Sequence, residues 1–188
     1  MNKTLKLLIL SDIFMFSGFG LIGPIFAIFI KDNLVGGTIT AAGLASTIFL
    51  ITHAVLQLIF AKVFNPKDRF WMLILGTVMI VMTPFFFIFS TNIWHIYIAQ
   101  FIHGVGAGFA FPAWSSLFTS NLEKGKRGLQ WSMYSSSVGL GTAITAYLGA
   151  IMAQSLGFKL VFSITGLATF VGLLILFGLD RKNLIKKI

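Results

Sequence analysis

Gly18-Phe19-Gly20-Leu21-Ile22-Gly23-Pro24 lies inside a long apolar run, and Gly106-Ala107-Gly108-Phe109-Ala110-Phe111-Pro112 repeats its pattern 88 positions later. Both stretches read Gly-x-Gly-x-x-x-Pro. Proline has no N–H to donate to the carbonyl four residues back. In the two copies that carbonyl belongs to Gly20 and Gly108. Each run is therefore predicted to be a helix that bends in its middle, at Gly20–Pro24 and at Gly108–Pro112.

Outside the two copies the chain is just as apolar. Of its 188 residues 57% are hydrophobic and 10% are charged, with a mean hydropathy of +0.94. A water-soluble domain carries about 25% charged residues. Such a chain cannot cover a surface facing water, so it belongs in lipid. It has no cysteine, and so no disulfide framework or thiolate metal site.

Six apolar runs follow one another at about 7–30, 39–64, 70–90, 95–119, 129–154 and 160–179. Each has roughly the 20 residues that cross the hydrocarbon core as a helix. Lys3 and Lys6 imitate the start of a secretion signal. The first run is long for one, holds Asp12 and lacks a small-residue cleavage site, so it is read as span 1. The net charge of +9 is distributed unevenly: Lys3, Lys6, Lys62, Lys67, Arg69, Lys124, Lys126, Arg127, Arg181, Lys182, Lys186 and Lys187 fall on one side, Lys31 and Lys159 on the other. This asymmetry predicts both termini on the cytoplasmic side of the cell membrane. It also assigns the basic residues to anionic lipid rather than to nucleic acid.

Shifting spans 2 and 3 by 88 lands on spans 5 and 6 within two residues. The expected architecture is a single all-α bundle over 1–188, made of repeat one at 1–92 and repeat two at 93–188. With three helices per unit the second repeat is inverted, an arrangement found in secondary transporters. Spans 3 and 6 are apolar all round, and each is expected to be the outer helix of its repeat. Spans 1, 2, 4 and 5 carry the polar side chains.

Ser17 to Phe29 in span 1, Gln100-Phe101-Ile102-His103-Gly104-Val105-Gly106-Ala107-Gly108 in span 4, Arg127-Gly128, and Gly157-Phe158-Lys159-Leu160-Val161-Phe162 together resemble the major facilitator superfamily. The span 4 stretch is similar to that family's Arg-x-x-Gln-Gly-x-Gly motif, with Gln100 in the arginine's place. The family's Gly-x-x-x-Asp-Arg-x-Gly-Arg between spans 2 and 3 has lost its glycine and first acid, and Asp68-Arg69 stand nearby. The antiporter-type Gly-Pro of span 5 is absent, with Thr145-Ala146 near its position. The resemblance implies a fold of twelve spans in two halves, of which this chain supplies six. It further implies spans 1 and 4 lining a central cavity, and spans 2 and 5 meeting an opposing half. A parallel homodimer is expected to supply that half. Ala41, Ala42, Gly43, Ala45, Gly139, Gly141 and Gly149 would allow the close helix contacts.

The candidate binding residues are polar side chains on faces of spans 2, 4 and 5. Gln100, His103, Ala107, Phe111 and Trp114 share one face of span 4 at 100° per residue. His53 and Gln57 share a face of span 2 with Ser46 and Phe49, and Tyr134 lies on span 5 at about the depth of Asp12. Gln100, His103, Trp114, His53, Gln57 and Tyr134 thus form the predicted substrate set. Such residues also serve as interhelical glue. Asp12 is the only acid within a span, about 7–8 Å from its end at 1.5 Å per residue. Two readings of it stand: a proton-coupling carboxylate, or an acid solvated near a helix N-terminus. His95, beside Trp94 and Tyr97, reads as an interfacial belt.

No Walker loop, carboxylate pair or nucleophile–base set is visible, so the chain is not read as an enzyme, and no cofactor or metal is expected. The expected activity is a secondary transporter or facilitator of a small neutral polar solute, sugar-like, working as a homodimer by alternating access. The alternatives are a proton-coupled carrier of small amphipathic drugs, and a non-transporting membrane scaffold or a half that needs a different partner chain.

Overall fold

The computed structural model describes residues 1–63 and 69–179. Asp68, the loop from Asn65 and the basic end from Asp180 lie outside them, and so do Lys67, Arg181, Lys182, Lys186 and Lys187. Six helical spans are present, each long and apolar enough to cross a membrane. Span 1 is α1 (Lys3–Ile22), a 3-10 turn (Gly23–Ile25) and α2 (Phe26–Asn33); spans 2 to 6 are α3 (Ile39–Val63), α4 (Arg69–Ile88), α5 (Ile93–Ser120), α6 (Arg127–Leu156) and α7 (Phe158–Leu176).

The helix ends follow from local chemistry. Asn2 caps α1 by accepting from Leu5 N–H at 2.8 Å, and Asn92 caps α5 by accepting from Trp94 N–H at 3.0 Å. Gly157 alone separates α6 from α7, with φ 86° and ψ 161°, a conformation open to glycine and costly for other residues. The two prolines behave differently. Pro24 breaks span 1 into its 3-10 turn, whereas α5 stays α-helical through Pro112. The bend expected at Gly108–Pro112 is therefore no helix break, and Gly20 lies in regular helix ahead of the turn at Gly23.

The packing exchanges the two repeats. α1 packs on α6 and α7, while α5 packs on α3 and α4. α4 and α7 meet along a central contact, and α1 barely touches α5. Swapping spans 1, 2 and 3 for 4, 5 and 6 leaves this pattern unchanged. Two lobes result: spans 1, 5 and 6 form one, and spans 2, 3 and 4 the other.

Glycine makes both lobes possible. A Cβ on Gly20 would lie 3.0 Å from Thr142 O, and one on Gly149 would lie 2.6 Å from Leu21 Cα. In the other lobe a Cβ on Gly106 would lie 2.7 Å from Gly76 O, and one on Gly108 would lie 2.8 Å from Leu56 Cβ. Hydroxyls add hydrogen bonds across α1 and α7: Ser11 donates to Gly172 O at 2.8 Å and Thr165 to Gly18 O at 3.0 Å. Each end of the bundle has its own tie. Asn2 Nδ2 donates to Asn121 Oδ1 at 2.9 Å at one end. At the other, Val35 N–H donates to Thr91 O at 3.0 Å and Ile93 N–H to Val35 O at 3.1 Å.

One expectation is corrected here, that of the small residues. Within a single copy the apolar windows of α4 and α7 are 50% and 44% buried, against 6% for α3 and α6, so the third helix of each repeat is the one more enclosed by its own chain. An apolar helix without a polar face is equally suited to lipid and to protein, so its composition does not say which surrounds it. Of the small residues assigned to a partner interface, Ala41, Ala42 and Ala45 are buried, and Gly141 and Gly149 face α1. Gly43 and Gly139 alone of that set have nothing within 4 Å of a built Cβ.

A methyl group at position 76 would run into the backbone of α5 at Gly106 O and Ala110 N. Gly76→Ala is expected to cost about 1–3 kcal/mol through overpacking, read as a lower melting temperature in detergent. Gly139→Ala should be neutral or slightly stabilising, because alanine favours helix and nothing obstructs it. Equal melting of the two variants contradicts the backbone-contact account.

Candidate transport cavity

The seam between the lobes, where α1 and α5 part, holds a cavity of about 380 Å³. Its floor is buried: Leu73 and Thr77 of α4 and Leu176 of α7 are 2%, 3% and 1% exposed. Its rim is open, with Phe16 and Phe111 about half exposed. Between floor and rim the wall is chiefly aromatic and aliphatic, from Met15, Phe19, Phe49, Ile80, Ala107 and Ala110. All six spans contribute a residue.

Polar groups gather at the two ends. At one, Tyr134 Oη donates to Asp12 Oδ2 at 2.8 Å, so the contact raised by their equal depth is made. The Tyr134 ring lies 4.9 Å from Trp114 and 5.0 Å from Phe118, and Trp131 stands 5.3 Å from Phe118. These rings bridge α5 and α6, hence the two lobes. At the other end His103 is held between Phe19, 4.7 Å away and nearly parallel at 18°, and Phe49 at 4.4 Å. Phe19 belongs to the opposite lobe, so this stack is a second bridge across the seam. His53 stacks on Phe49 at 5.9 Å and meets the edge of Phe111 at 5.6 Å. His53 Nε2 and Trp114 Nε1 are buried with no hydrogen-bond partner among the described residues.

Of the predicted substrate set, His53, His103, Trp114 and Tyr134 line the cavity with Asp12, while Gln57 and Gln100 do not. Gln100 is buried, 7% exposed, with Oε1 3.4 Å from His103 Nδ1. The span 4 face was therefore legible except at its first residue. Thr77, Phe16 and Phe19 were missed as cavity residues; periodicity could have grouped them, but only the lobe arrangement turns them to the seam. His95 Nδ1 accepts from Thr91 N–H at 3.3 Å at the start of α5, away from the cavity. The described residues contain no cluster of three or more His, Cys, Asp or Glu suited to a metal.

The sequence profile of the Major Facilitator Superfamily matches residues 8–187. The chain is 25% identical over 158 residues to the membrane sensor protein UhpC of Salmonella typhimurium, covering 82% of this chain and 36% of that protein. It is 28% identical over 153 residues to the multi-drug resistance efflux pump PmrA of Streptococcus pneumoniae, covering 80% and 38%. Among solved structures, a peptide transporter POT in complex with sulfate superposes with a TM-score of 0.82 at 15% identity, covering 98% of this chain and 39% of that one. The POT family transporter PepTSo gives a TM-score of 0.71 at 16% identity, covering 94% and 37%. The chain thus spans less than two fifths of the length of each of these proteins.

Tyr134→Phe keeps the ring cluster and removes one hydrogen bond to a carboxylate. It is expected to cost about 1–2 kcal/mol in thermal unfolding. Asp12→Asn retains an acceptor for the tyrosine and should cost less; the reverse order contradicts the pairing.

Proposed function

The chain belongs to the major facilitator superfamily, and from that premise we propose that it carries a small amphipathic molecule with a flat apolar body across the cell membrane by alternating access. The single observation that carries this reading is the cavity wall. Aromatic and aliphatic side chains make up most of it, and polar groups sit at its ends. A flat apolar body stacks on Phe16, Phe19, Phe49 and Phe111, and its polar head meets the Asp12–Tyr134 pair. A sugar-like solute has weaker support, because the two amides that would pair with its hydroxyls, Gln57 and Gln100, stand off the wall. Similarity to a multi-drug efflux pump favours the same class.

In this reading residues 1–92 and 93–188 are the inverted repeats, both termini are cytoplasmic, and Asp12 is the proton-coupling group. His53, His103, Trp114 and Tyr134 contact the substrate. The 3-10 turn at Pro24 is the bend of the lining helix in span 1. A second copy covers the rim across α3 and α6. Those helices expose Leu44, Ile51, Leu58, Leu140, Ile144 and Tyr147, beside the half-exposed Phe16 and Phe111.

Purified protein in proteoliposomes should take up a fluorescent aromatic amine, faster with a pH gradient. Asp12→Asn should lower the gradient-driven component at least tenfold. Flux indifferent to both gradient and variant removes proton coupling and leaves facilitation. No flux at all favours the scaffold or a different partner chain. The absence of cysteine permits a direct test of the dimer. Leu140→Cys on the exposed face of α6 should cross-link to a dimer on oxidation, and Leu174→Cys on α7 should not. A strictly monomeric species in detergent rejects the homodimer.

A further inference from the structure

The His103 end of the cavity has a chemistry of its own. Phe19 stacks on the imidazole and Phe49 packs against it at a 35° tilt, so two phenyl rings restrain its plane. In that plane Nδ1 points at Gln100 Oε1, 3.4 Å away. No carboxylate pairs with the ring among the described residues, and a charge buried away from water without an ionic partner is costly. A neutral imidazole carries one N–H, and the hydrogen bond made by one nitrogen decides the role of the other. Gln100 Oε1 can only accept, so the proton belongs on Nδ1 and Nε2 keeps its lone pair. His103 lines the cavity, whereas Gln100 is buried and does not.

We propose that Gln100 is a positioning residue that holds His103 as the Nδ1–H tautomer, so that His103 Nε2 is a hydrogen-bond acceptor for the substrate at the end of the cavity away from Asp12. The assignment rests on the reading of the cavity as an amphiphile site and names the substrate class more closely. Asp12 is an acceptor as well, with Oδ2 taken by Tyr134 and Oδ1 remaining. The level of Asp12 and that of Phe19, beside His103, are separated by seven positions of α1, about 10 Å at 1.5 Å per residue. The matching molecule carries a donor at each end of a flat apolar body: an ammonium for Asp12 and a hydroxyl or amide N–H for His103.

Three probes decide the matter: a biphenyl methylamine whose far ring carries a para hydroxyl, methoxy or methyl group. The hydroxyl donates, the methoxy only accepts, and the methyl does neither. Calorimetric titration of the full chain in detergent should show the hydroxyl compound binding about five- to tenfold more tightly than the other two, the effect of one net hydrogen bond. In Gln100→Leu that preference should vanish. Nitrogen NMR of histidine-labelled protein reads the tautomer directly. The chain has three histidines, and the resonance lost in His103→Phe identifies the ring. An Nδ1–H tautomer in the wild type that loses its excess in Gln100→Leu supports the proposal. An Nε2–H tautomer in the wild type overturns it, even if the leucine variant does not fold, and so does a methoxy compound that binds as well as the hydroxyl one. Failure of all three compounds to bind rejects the amphiphile reading itself, and the substrate assignment with it.

Discussion

The structure depends on backbone meeting backbone at glycine. α1 and α5 each leave the helices of their own repeat and lie against the second and third helices of the other. That exchange needs close approach along two sides of a helix. Gly18 faces α7 and Gly20 faces α6; Gly106 faces α4 and Gly108 faces α3. In lipid no hydrophobic force draws helices together, so association rests on van der Waals contact and interhelical hydrogen bonds. Side chains larger than hydrogen at these positions would hold the helices apart and forfeit both.

The cavity is a consequence of the same exchange. Because α1 and α5 are each committed to a lobe, little backbone contact remains between them, and the seam is left for side chains to fill. Aromatic rings fill its ends. Phe19 crosses to His103, and Tyr134 crosses to Trp114 and Phe118. Between them the wall stays open to a guest. The hydrogen bonds of Ser11 to Gly172 and of His103 to Gln100 each have one partner on the wall and one off it. The Asp12–Tyr134 pair has both partners on the wall.

Much of this was legible in the chain. The six spans were visible because a membrane helix needs a length of apolar residues that no soluble element imitates. His103, Ala107, Phe111 and Trp114 could be put on one face because helical spacing is fixed. The small residues were assigned to the wrong neighbour for a general reason. Uniformly apolar α4 and α7, and the small residues of α3 and α6, fit lipid, a partner or the same chain equally well. Composition states what a surface tolerates and leaves its neighbour undefined. Gln100 shares the face of His103 in sequence, yet is buried and does not line the cavity.

The sequence by itself determined membrane residence, six crossings and a motif shared by spans 1 and 4. Hydropathy, length and periodicity are local properties, readable one segment at a time. Only the tertiary structure decided which helix each glycine of that motif meets, that Pro24 breaks its span while Pro112 does not, and that Tyr134 pairs with Asp12 across 122 positions. These facts depend on contacts between segments far apart in the chain. The exchange of α1 and α5 between lobes sets them, and no local pattern encodes that exchange.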